Sequence, residues 1–176
     1  KNFNYIKKNF FKHKIINEKI IHAYYFFNII NQKISLSDNK IICEIGPGNG
    51  NLISILKKNN PNLKFILIDL KETLLVSSSY LINLFPDSKF LISTEINRNF
   101  NKDDYKNYDF LFILPEHIDL LPSNLVDLSI NISSFGEMKK KQIEIYFHLI
   151  QRISKNESNF FNYNRVEKFP IDNMHK

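Results

Sequence analysis

The feature that most restricts the fold is a short apolar segment that runs directly into a glycine-rich turn. Residues 40–45 (Lys-Ile-Ile-Cys-Glu-Ile) are rich in β-branched side chains, and residues 46–50 (Gly-Pro-Gly-Asn-Gly) follow at once. β-Branched residues favour strands, and alternating glycines are typical of a main chain that turns sharply. Leu52, Ile55 and Leu56 then have helical spacing, which the Asn-Asn-Pro sequence at 59–61 should end. The pattern predicts a buried strand, a tight turn and a helix.

The rest of the chain repeats this alternation. Short apolar runs predict further strands at residues 64–69, 89–94, 109–114, 126–132 and 159–163. Strands that alternate with helices are typical of a mostly parallel sheet with helices on both faces. We therefore predict an α/β fold, a Rossmann-like doubly wound sheet.

Three segments have the three- and four-residue apolar spacing of amphipathic helices. The inner face of the first is expected to be Ile16, Ile20, Tyr24 and Phe27. The inner face of the second helix is expected to be Leu74, Ser78, Leu81, Ile82 and Phe85. The inner face of the third helix is expected to be Ile143, Phe147, Ile150 and Ile153. Residues 95–107 are polar and predict a surface excursion. We divide the chain into a helical lid or flank at 1–35 and an α/β domain at 36–176.

Composition narrows the function. The 176 residues, 43% of them apolar, suffice for one soluble domain, and no apolar run approaches the roughly 18 residues of a membrane span. The net charge of +6 comes from scattered lysines, 21 against 3 arginines, in a sequence whose residue types share AT-rich codons. The charge therefore predicts no nucleic-acid partner. The single cysteine, Cys43, cannot form an internal disulfide, so we expect a cytoplasmic protein.

The candidate site combines the glycine turn with two acids. Glu44 precedes Gly46, Gly48 and Gly50, and Asp69 ends the next predicted strand. Ligands of a doubly wound sheet bind beyond the carboxyl ends of its strands, where a carboxylate can accept hydrogen bonds from a ribose diol. The residues predict a nucleoside pocket. The Gly-x-Gly-x-Gly spacing differs from the Gly-x-Gly-x-x-Gly of dinucleotide-binding domains, which disfavours a pyrophosphate ligand.

An acid, a glycine loop and a second-strand acid together resemble motif I of class I methyltransferases, which use S-adenosylmethionine. Residues 69–74 (Asp-Leu-Lys-Glu-Thr-Leu), 126–131 (Val-Asp-Leu-Ser-Ile-Asn) and 134–138 (Ser-Phe-Gly-Glu-Met) extend the resemblance to a sugar O-methyltransferase family. It covers roughly residues 40–165, including 80–86, 146–147 and 160–165. The resemblance implies S-adenosylmethionine as the cofactor. Its implied contacts are Glu44, the three glycines, Asp69, Leu70, Glu116 at the adenine edge and Asn131 at the methionine end.

The acceptor side is predicted from the same resemblance. Glu137 is the candidate base or substrate contact, although an exposed acid in the first turn of a helix is an equal alternative. Ser134, Asn164 and Arg165 are candidate sugar contacts, and His22 is a candidate lid residue. Asn131 is not followed by the Pro-Pro-aromatic sequence of enzymes that methylate amino groups of bases, which favours an oxygen or carbon acceptor. No residue spacing predicts a metal site.

Two other functions remain open. One is a catalytically silent module that binds a nucleoside or a partner protein, and the other is an NAD-dependent oxidoreductase. The complete class I fold ends in an antiparallel hairpin, but only 11 residues follow Arg165 and the first residue is Lys1 rather than methionine. We therefore expect a fragment whose last predicted strand is an unprotected sheet edge. The sequence does not predict an oligomeric state.

Overall fold

The computed structural model describes residues 18–37, 39–96 and 101–165. Its helices are α1 (Glu18–Lys33), α2 (Asn51–Asn59), α3 (Lys71–Leu84), α4 (Lys102–Tyr105) and α5 (Lys140–Ile153). Its strands are β1 (Ile41–Ile45), β2 (Lys64–Ile68), β3 (Phe90–Ile92), β4 (Phe110–Ile113), β5 (Val126–Ile132) and β6 (Ser154–Tyr163). Short 3₁₀ turns occupy Ser93–Glu95, Pro115–Leu120 and Ser134–Glu137. Most of the predicted flank before α1, including Ile16, lies outside the described residues.

The strands form one six-stranded sheet in the order β3-β4-β2-β1-β5-β6, and every neighbouring pair is parallel. The α/β prediction is thereby confirmed. From β1 the chain builds first toward β2 and later, with β5, on the opposite side. Strand order therefore reverses at the β1–β5 pair, where Ile45 lies beside Asn131. A parallel sheet opens a crevice at the carboxyl ends of its strands at this point.

Side chains alternate between the two faces of the sheet along each strand, and helices cover both faces. On one face, α1, α2 and α3 cover residues such as Ile42, Phe65 and Leu128. On the other face, α5 covers residues such as Ile45 and Ile66. The residues at the carboxyl ends are thus held by a packed scaffold. None of the helices in the described ranges is long and apolar enough to cross a lipid bilayer.

Helix rotation differs from the sequence prediction in α3 and α5. In α3, Leu74, Ser77 and Leu81 are buried and Ser78 is half-buried, while Ile82 is 43% exposed, so the expected inward position of Ile82 was wrong. In α5 the buried residues are Tyr146, Leu149, Ile150 and Ile153. Phe147, expected inward, is 43% exposed and packs at the side of the helix, with ring centroids 5.7 Å from Phe135 and 5.9 Å from Phe160.

Two segments have more structure than the sequence indicates. The predicted surface excursion contains α4, whose Tyr105 is buried and donates a hydrogen bond from its hydroxyl to the Leu120 carbonyl at 2.6 Å. Strand β6 begins at Ser154, immediately after α5, rather than at Asn159. It forms one edge of the sheet, and within the described ranges no antiparallel strand pairs with it.

A charged pair lies at the amino ends of the central strands. Lys57 of α2 is buried, and its Nζ lies 2.6 Å from Asp109 Oδ1 and 3.0 Å from the Leu63 carbonyl oxygen. The ammonium also lies 5.5 Å from the centroid of the Phe110 ring. Asp109 Oδ2 in turn accepts a hydrogen bond from the main-chain N–H of Lys89 at 2.9 Å. The pair links α2 to the segments that precede β3 and β4, at the end of the sheet opposite the glycine turn.

Candidate functional site

The glycine turn at the end of β1 has a conformation that side chains would disturb. Gly46, Gly48 and Gly50 all have positive φ angles, of 75°, 54° and 76°. A Cβ on Gly46 would lie 2.4 Å from both Cβ and Oγ of Ser134, so the turn packs directly against the residue that follows β5. Among the described residues, no atom lies within 4 Å of a Cβ built on Gly48. The turn is therefore closed at Gly46 and has open space at Gly48.

Asp69, which follows β2, contacts this turn. Its Oδ2 accepts a hydrogen bond from the Gly48 main-chain N–H at 3.3 Å, and its Oδ1 accepts one from the Leu70 N–H at 2.8 Å. Partial burial raises the pKa of Asp69, hydrogen bonds from these amides and from Thr73 oppose the rise, and the charge of Glu137 adds to it. The structure thus brings the two predicted elements together at one edge of the sheet.

Glu44 is the least solvated acid of the site. Its side chain is buried within β1, 3% exposed, and its Oε2 has no hydrogen-bond partner in the part of the chain that the structure describes. Burial, assisted by the negative charge of Asp69, raises the pKa of Glu44 to about 8. A buried carboxyl without a partner is stable when protonated, or when a cation accompanies it. A cationic ligand group beside Glu44 would therefore favour its ionised form.

The carboxyl end of β5 carries a saturated polar network. Asn131 is fully buried, and its Nδ2 donates to the Ile45 carbonyl at 2.9 Å and to Ser134 Oγ at 2.5 Å. Ser134 Oγ donates to the same Ile45 carbonyl at 3.1 Å. Asn131 Oδ1 accepts from Asn164 Nδ2 at 2.7 Å and from the Phe135 N–H at 3.4 Å. The side chain of Asn131 therefore has no hydrogen-bonding capacity left for a ligand.

The other predicted residues differ in position. Glu137 ends the turn after β5 and is exposed, and its charge acts on Asp69. Glu116 follows β4 and is also exposed. Arg165 and Leu70 are exposed, and Leu70 contributes a main-chain N–H to Asp69. The ligand contacts predicted for these residues stay predictions.

His22 lies on α1, away from the network described above. Its side chain is 63% exposed, and its Nε2 lies 3.9 Å from Glu18 Oε1 on the same helix. Helix α1 is nevertheless joined to the site side of the sheet, because Phe26 contacts Tyr163 with ring centroids 4.9 Å apart. A lid role for His22 stays a prediction.

Three side chains enter the site region without having been predicted there. Thr73 hydrogen-bonds Asp69, and it could have been found as a hydroxyl four residues after an acid that precedes a helix. Ser93 Oγ accepts a hydrogen bond from the Leu114 N–H at 3.1 Å and lies 2.9 Å from Nδ1 of His117. Tyr146 has a raised pKa through burial and through the charges of Asp69 and Glu116, among others.

Metal chemistry has no evident donor set here. Among residues 18–37, 39–96 and 101–165, no three His, Cys, Asp or Glu side chains are grouped to hold a metal ion.

Comparison with known proteins identifies the fold. No protein-family profile and no curated protein matches the chain. Among solved structures, it is similar to a protein from Methanococcus maripaludis assigned to the S-adenosylmethionine-dependent methyltransferases, with a TM-score of 0.58 and 17% identity. It is also similar to the YcgJ protein of Bacillus subtilis, with a TM-score of 0.55 and 13% identity. A third similar structure is coclaurine N-methyltransferase bound to N-methylheliamine and S-adenosylhomocysteine, with a TM-score of 0.55 and 13% identity.

These similarities cover most of this chain but less of the others. The Methanococcus maripaludis protein matches 92% of this chain and 61% of its own. The YcgJ protein matches 79% of this chain and 50% of its own. Coclaurine N-methyltransferase matches 80% of this chain and 34% of its own. With the parallel sheet and its reversal at β1, they show that the chain has the class I methyltransferase fold. A shared fold supports many activities, so function has to be argued from the site.

Proposed function

We propose that this chain binds S-adenosylmethionine and transfers its methyl group to the hydroxyl of a sugar, in the synthesis of a glycan or surface polysaccharide. The observation that carries the proposal is the contact between Asp69 and the glycine turn at Gly48, beside the unpartnered carboxyl of Glu44. Asp69 can accept hydrogen bonds from the diol of a nucleoside cation, and Glu44 can ionise when the positive charge of that cation lies beside it. The two lie together at the strand ends.

The residues of the site fit this cofactor. Asp69 has carboxylate lone-pair capacity that its two main-chain donors and Thr73 leave unused, and a ribose hydroxyl can donate a hydrogen bond there. The open space beside Gly48 allows a ligand to approach the main chain. The buried Oε2 of Glu44 lacks a partner that an amino-acid ammonium would supply. When bound, the cofactor would supply a methyl group made electrophilic by a positively charged sulfur.

The chain's own contribution to the reaction is position and proton transfer. Holding the acceptor oxygen in line with the methyl carbon can supply about 7 to 11 kcal/mol of the barrier. Glu137 is our candidate base: its carboxylate would take the hydroxyl proton as the oxygen–carbon bond forms and the carbon–sulfur bond breaks. A positioned base accelerates such a step by roughly 10² to 10⁴. The exposure of Glu137 at the strand ends leaves it accessible to an acceptor.

A sugar acceptor is supported by the resemblance at residues 126–131 and 134–138. The Ile-Ser-Ser sequence after Asn131 also lacks the clamp used for planar amino groups. Arg165 is an exposed cation close to the end of β6 and could contact an acceptor phosphate. Because Cys43 is the single cysteine and is buried, a reducing compartment suits the protein, and we expect the reaction in the cytoplasm.

Calorimetric titration of the ligand-free protein with S-adenosylhomocysteine and with NAD tests the proposal. We expect saturable binding of S-adenosylhomocysteine, its loss in Asp69→Ala, and no binding of NAD. Asp87→Ala, which removes an exposed acid in the turn after α3, is the matched control and should keep the affinity. Unchanged affinity in Asp69→Ala would contradict the pocket, and preferential NAD binding would favour the oxidoreductase.

Transfer of a labelled methyl group to a panel of sugar nucleotides tests the acceptor. Methylated sugar should form with the native chain and decrease at least tenfold with Glu137→Gln. Cofactor binding without transfer to any acceptor would instead favour the silent binding module.

A further inference from the structure

The turn that carries Glu137 is held in a conformation that a free chain would avoid. Ser133, the residue that links β5 to this turn, has a positive φ of 64°. A non-glycine residue in this region costs on the order of 1 to 3 kcal/mol, so surrounding contacts must maintain it. One of these contacts is a hydrogen bond from the Ser133 N–H to the Tyr163 carbonyl at 2.8 Å. The end of β6 therefore fixes the start of the turn.

The middle of the turn is fixed by Asn164, the residue that follows Tyr163 at the end of β6. Asn164 Oδ1 accepts a hydrogen bond from the Gly136 N–H at 3.2 Å. Its Nδ2 donates to Asn131 Oδ1 at 2.7 Å and to Asn162 Oδ1 at 2.6 Å. One amide side chain thus connects the turn, the end of β5 and the end of β6. Both of its donor hydrogens are used within the protein, which leaves little capacity for a sugar hydroxyl.

Glu137 itself has no side-chain anchor. It is exposed, and in the described ranges no hydrogen bond or ion pair holds its carboxylate. The place from which this side chain extends, and so the space that its carboxylate can reach, is therefore set by the main chain of Ser134–Glu137 and by the groups that hold that main chain.

We infer that Asn164 is a positioning residue, which fixes the turn through Gly136 and thereby sets the distance of Glu137 from Asp69 and the cofactor site. The inference deepens the proposed function and rests on it, since the position of Glu137 matters catalytically only if that residue serves the acceptor. It replaces the direct sugar contact that the sequence suggested for Asn164.

The titration of Asp69 gives a readout that needs no acceptor. The negative charge of Glu137 contributes to the raised pKa of Asp69. Removing that charge in Glu137→Gln should lower the pKa of Asp69, which carboxyl ¹³C NMR measures. Asn164→Ala should lower it similarly, because the turn is released. In the double variant the pKa should equal that of Glu137→Gln alone.

Two controls separate positioning from a general loss of structure. Asn159→Ala removes an exposed asparagine of β6 and should leave the pKa of Asp69 unchanged. Gly136→Pro removes the donor of the same hydrogen bond from the other side and should act like Asn164→Ala. Gly136→Ala keeps that N–H, has open space for its methyl group, and should behave like the native chain. This pair tests the inference even if Asn164→Ala does not fold.

The inference is overturned if Asn164→Ala and Gly136→Pro leave the pKa of Asp69 unchanged, or if Asn164→Ala lowers it by the same amount in the Glu137→Gln background. Titration with S-adenosylhomocysteine runs in parallel. Its failure to bind the native chain would contradict the proposed function, whereas the Asp69 titration would still decide whether Asn164 positions Glu137.

Discussion

We expect ligand binding to depend on pH through Glu44, and replacing Glu44 with glutamine should remove that dependence. With a pKa of about 8, the buried carboxyl is protonated in about ten of eleven ligand-free molecules at pH 7. Pairing with a ligand ammonium requires the ionised form, which costs about 1.4 kcal/mol at that pH. The affinity for S-adenosylhomocysteine should therefore rise about tenfold per pH unit from pH 6 toward pH 8 and then level off.

In Glu44→Gln the affinity should be nearly constant over this range. Above pH 8 it should also be about tenfold to a hundredfold weaker than in the native chain, because a charge-assisted hydrogen bond contributes about 1.5 to 3 kcal/mol. Calorimetry in two buffers of different ionisation enthalpy measures the linked proton directly. At pH 7 nearly one proton should be released per ligand bound by the native chain, and none by Glu44→Gln.

The ligand 5′-methylthioadenosine is a matched control, because it keeps the nucleoside and lacks the amino-acid end. Its binding should release no proton and should vary little with pH. The reasoning about Glu44 is refuted if S-adenosylhomocysteine binds equally well at pH 6 and pH 8 without proton release. In that case the Asp69 contact would stand, and the ammonium would be bound elsewhere.

The same carboxyl affects folding in the absence of ligand. Its pKa is raised from 4.5 in the unfolded reference to about 8, so the folded state binds more protons between these values. The free energy of unfolding should therefore decrease as pH rises from about 5 to 8. Glu44→Gln should lose that slope, which urea denaturation at pH 5 and pH 8 measures.

The remaining predictions concern stability and are checked by thermal or urea denaturation. Gly46→Ala should destabilise the chain by at least about 1 kcal/mol, because its methyl group meets Ser134 and its φ is positive, and it should weaken S-adenosylhomocysteine binding; equal stability would contradict the tight packing. Lys57→Met should cost about 3 kcal/mol by leaving Asp109 without its ammonium, and a loss below about 1 kcal/mol would show the pair to be well solvated. Partial burial opposes ionisation of Asp109, but hydrogen bonds from Lys57 and Lys89 hold its pKa below the usual value. The stabilisation that the ionised Asp109 provides should therefore be lost only below about pH 4. In Lys57→Met the free energy of unfolding should decrease less steeply as the pH falls through this range. Tyr105→Phe should cost about 1 kcal/mol through the loss of the bond to Leu120, and no change would refute that assignment.

The central part of the site could be predicted from sequence because its signals are local. A β-branched run followed by Gly46 and Gly48 restricts the main chain, whatever the rest of the molecule does. Asp69 follows the adjacent parallel strand, and parallel strands bring their carboxyl ends to one edge. The distance of 3.3 Å between Gly48 N and Asp69 Oδ2 is the direct result of these two rules.

Side-chain orientation was less predictable where neighbouring residues have similar hydrophobicity. Tyr146 and Phe147 are both aromatic, and a rotation of one residue decides which of them faces the sheet. The packing of Leu149 and Ile153 fixes that rotation, and it is a tertiary effect. The early part of β6 was missed because its polar sequence gives no strand signal, and its pairing with β5 determines its structure.

The network around Asn164 could not be derived in advance for a different reason. The sequence places Asn131, Ser134 and Asn164 near strand ends, where they could equally contact a ligand or one another. Which partner a short amide side chain finds depends on ångström-scale geometry between segments about 30 residues apart. Only coordinates distinguish a residue that touches the acceptor from one that holds the turn beside it.

The pairing of β1 with β5 has a consequence for biosynthesis. The strand that begins the site, Ile41–Ile45, has on one side a neighbour that is translated more than 80 residues later. A nascent chain released as far as α4 can form β1, β2 and the Asp69 contact, but it lacks the wall that Ser134 provides against Gly46. Ligand affinity should therefore arise late in translation, and the long separation of these contacts should make folding slow relative to a helical bundle of equal length.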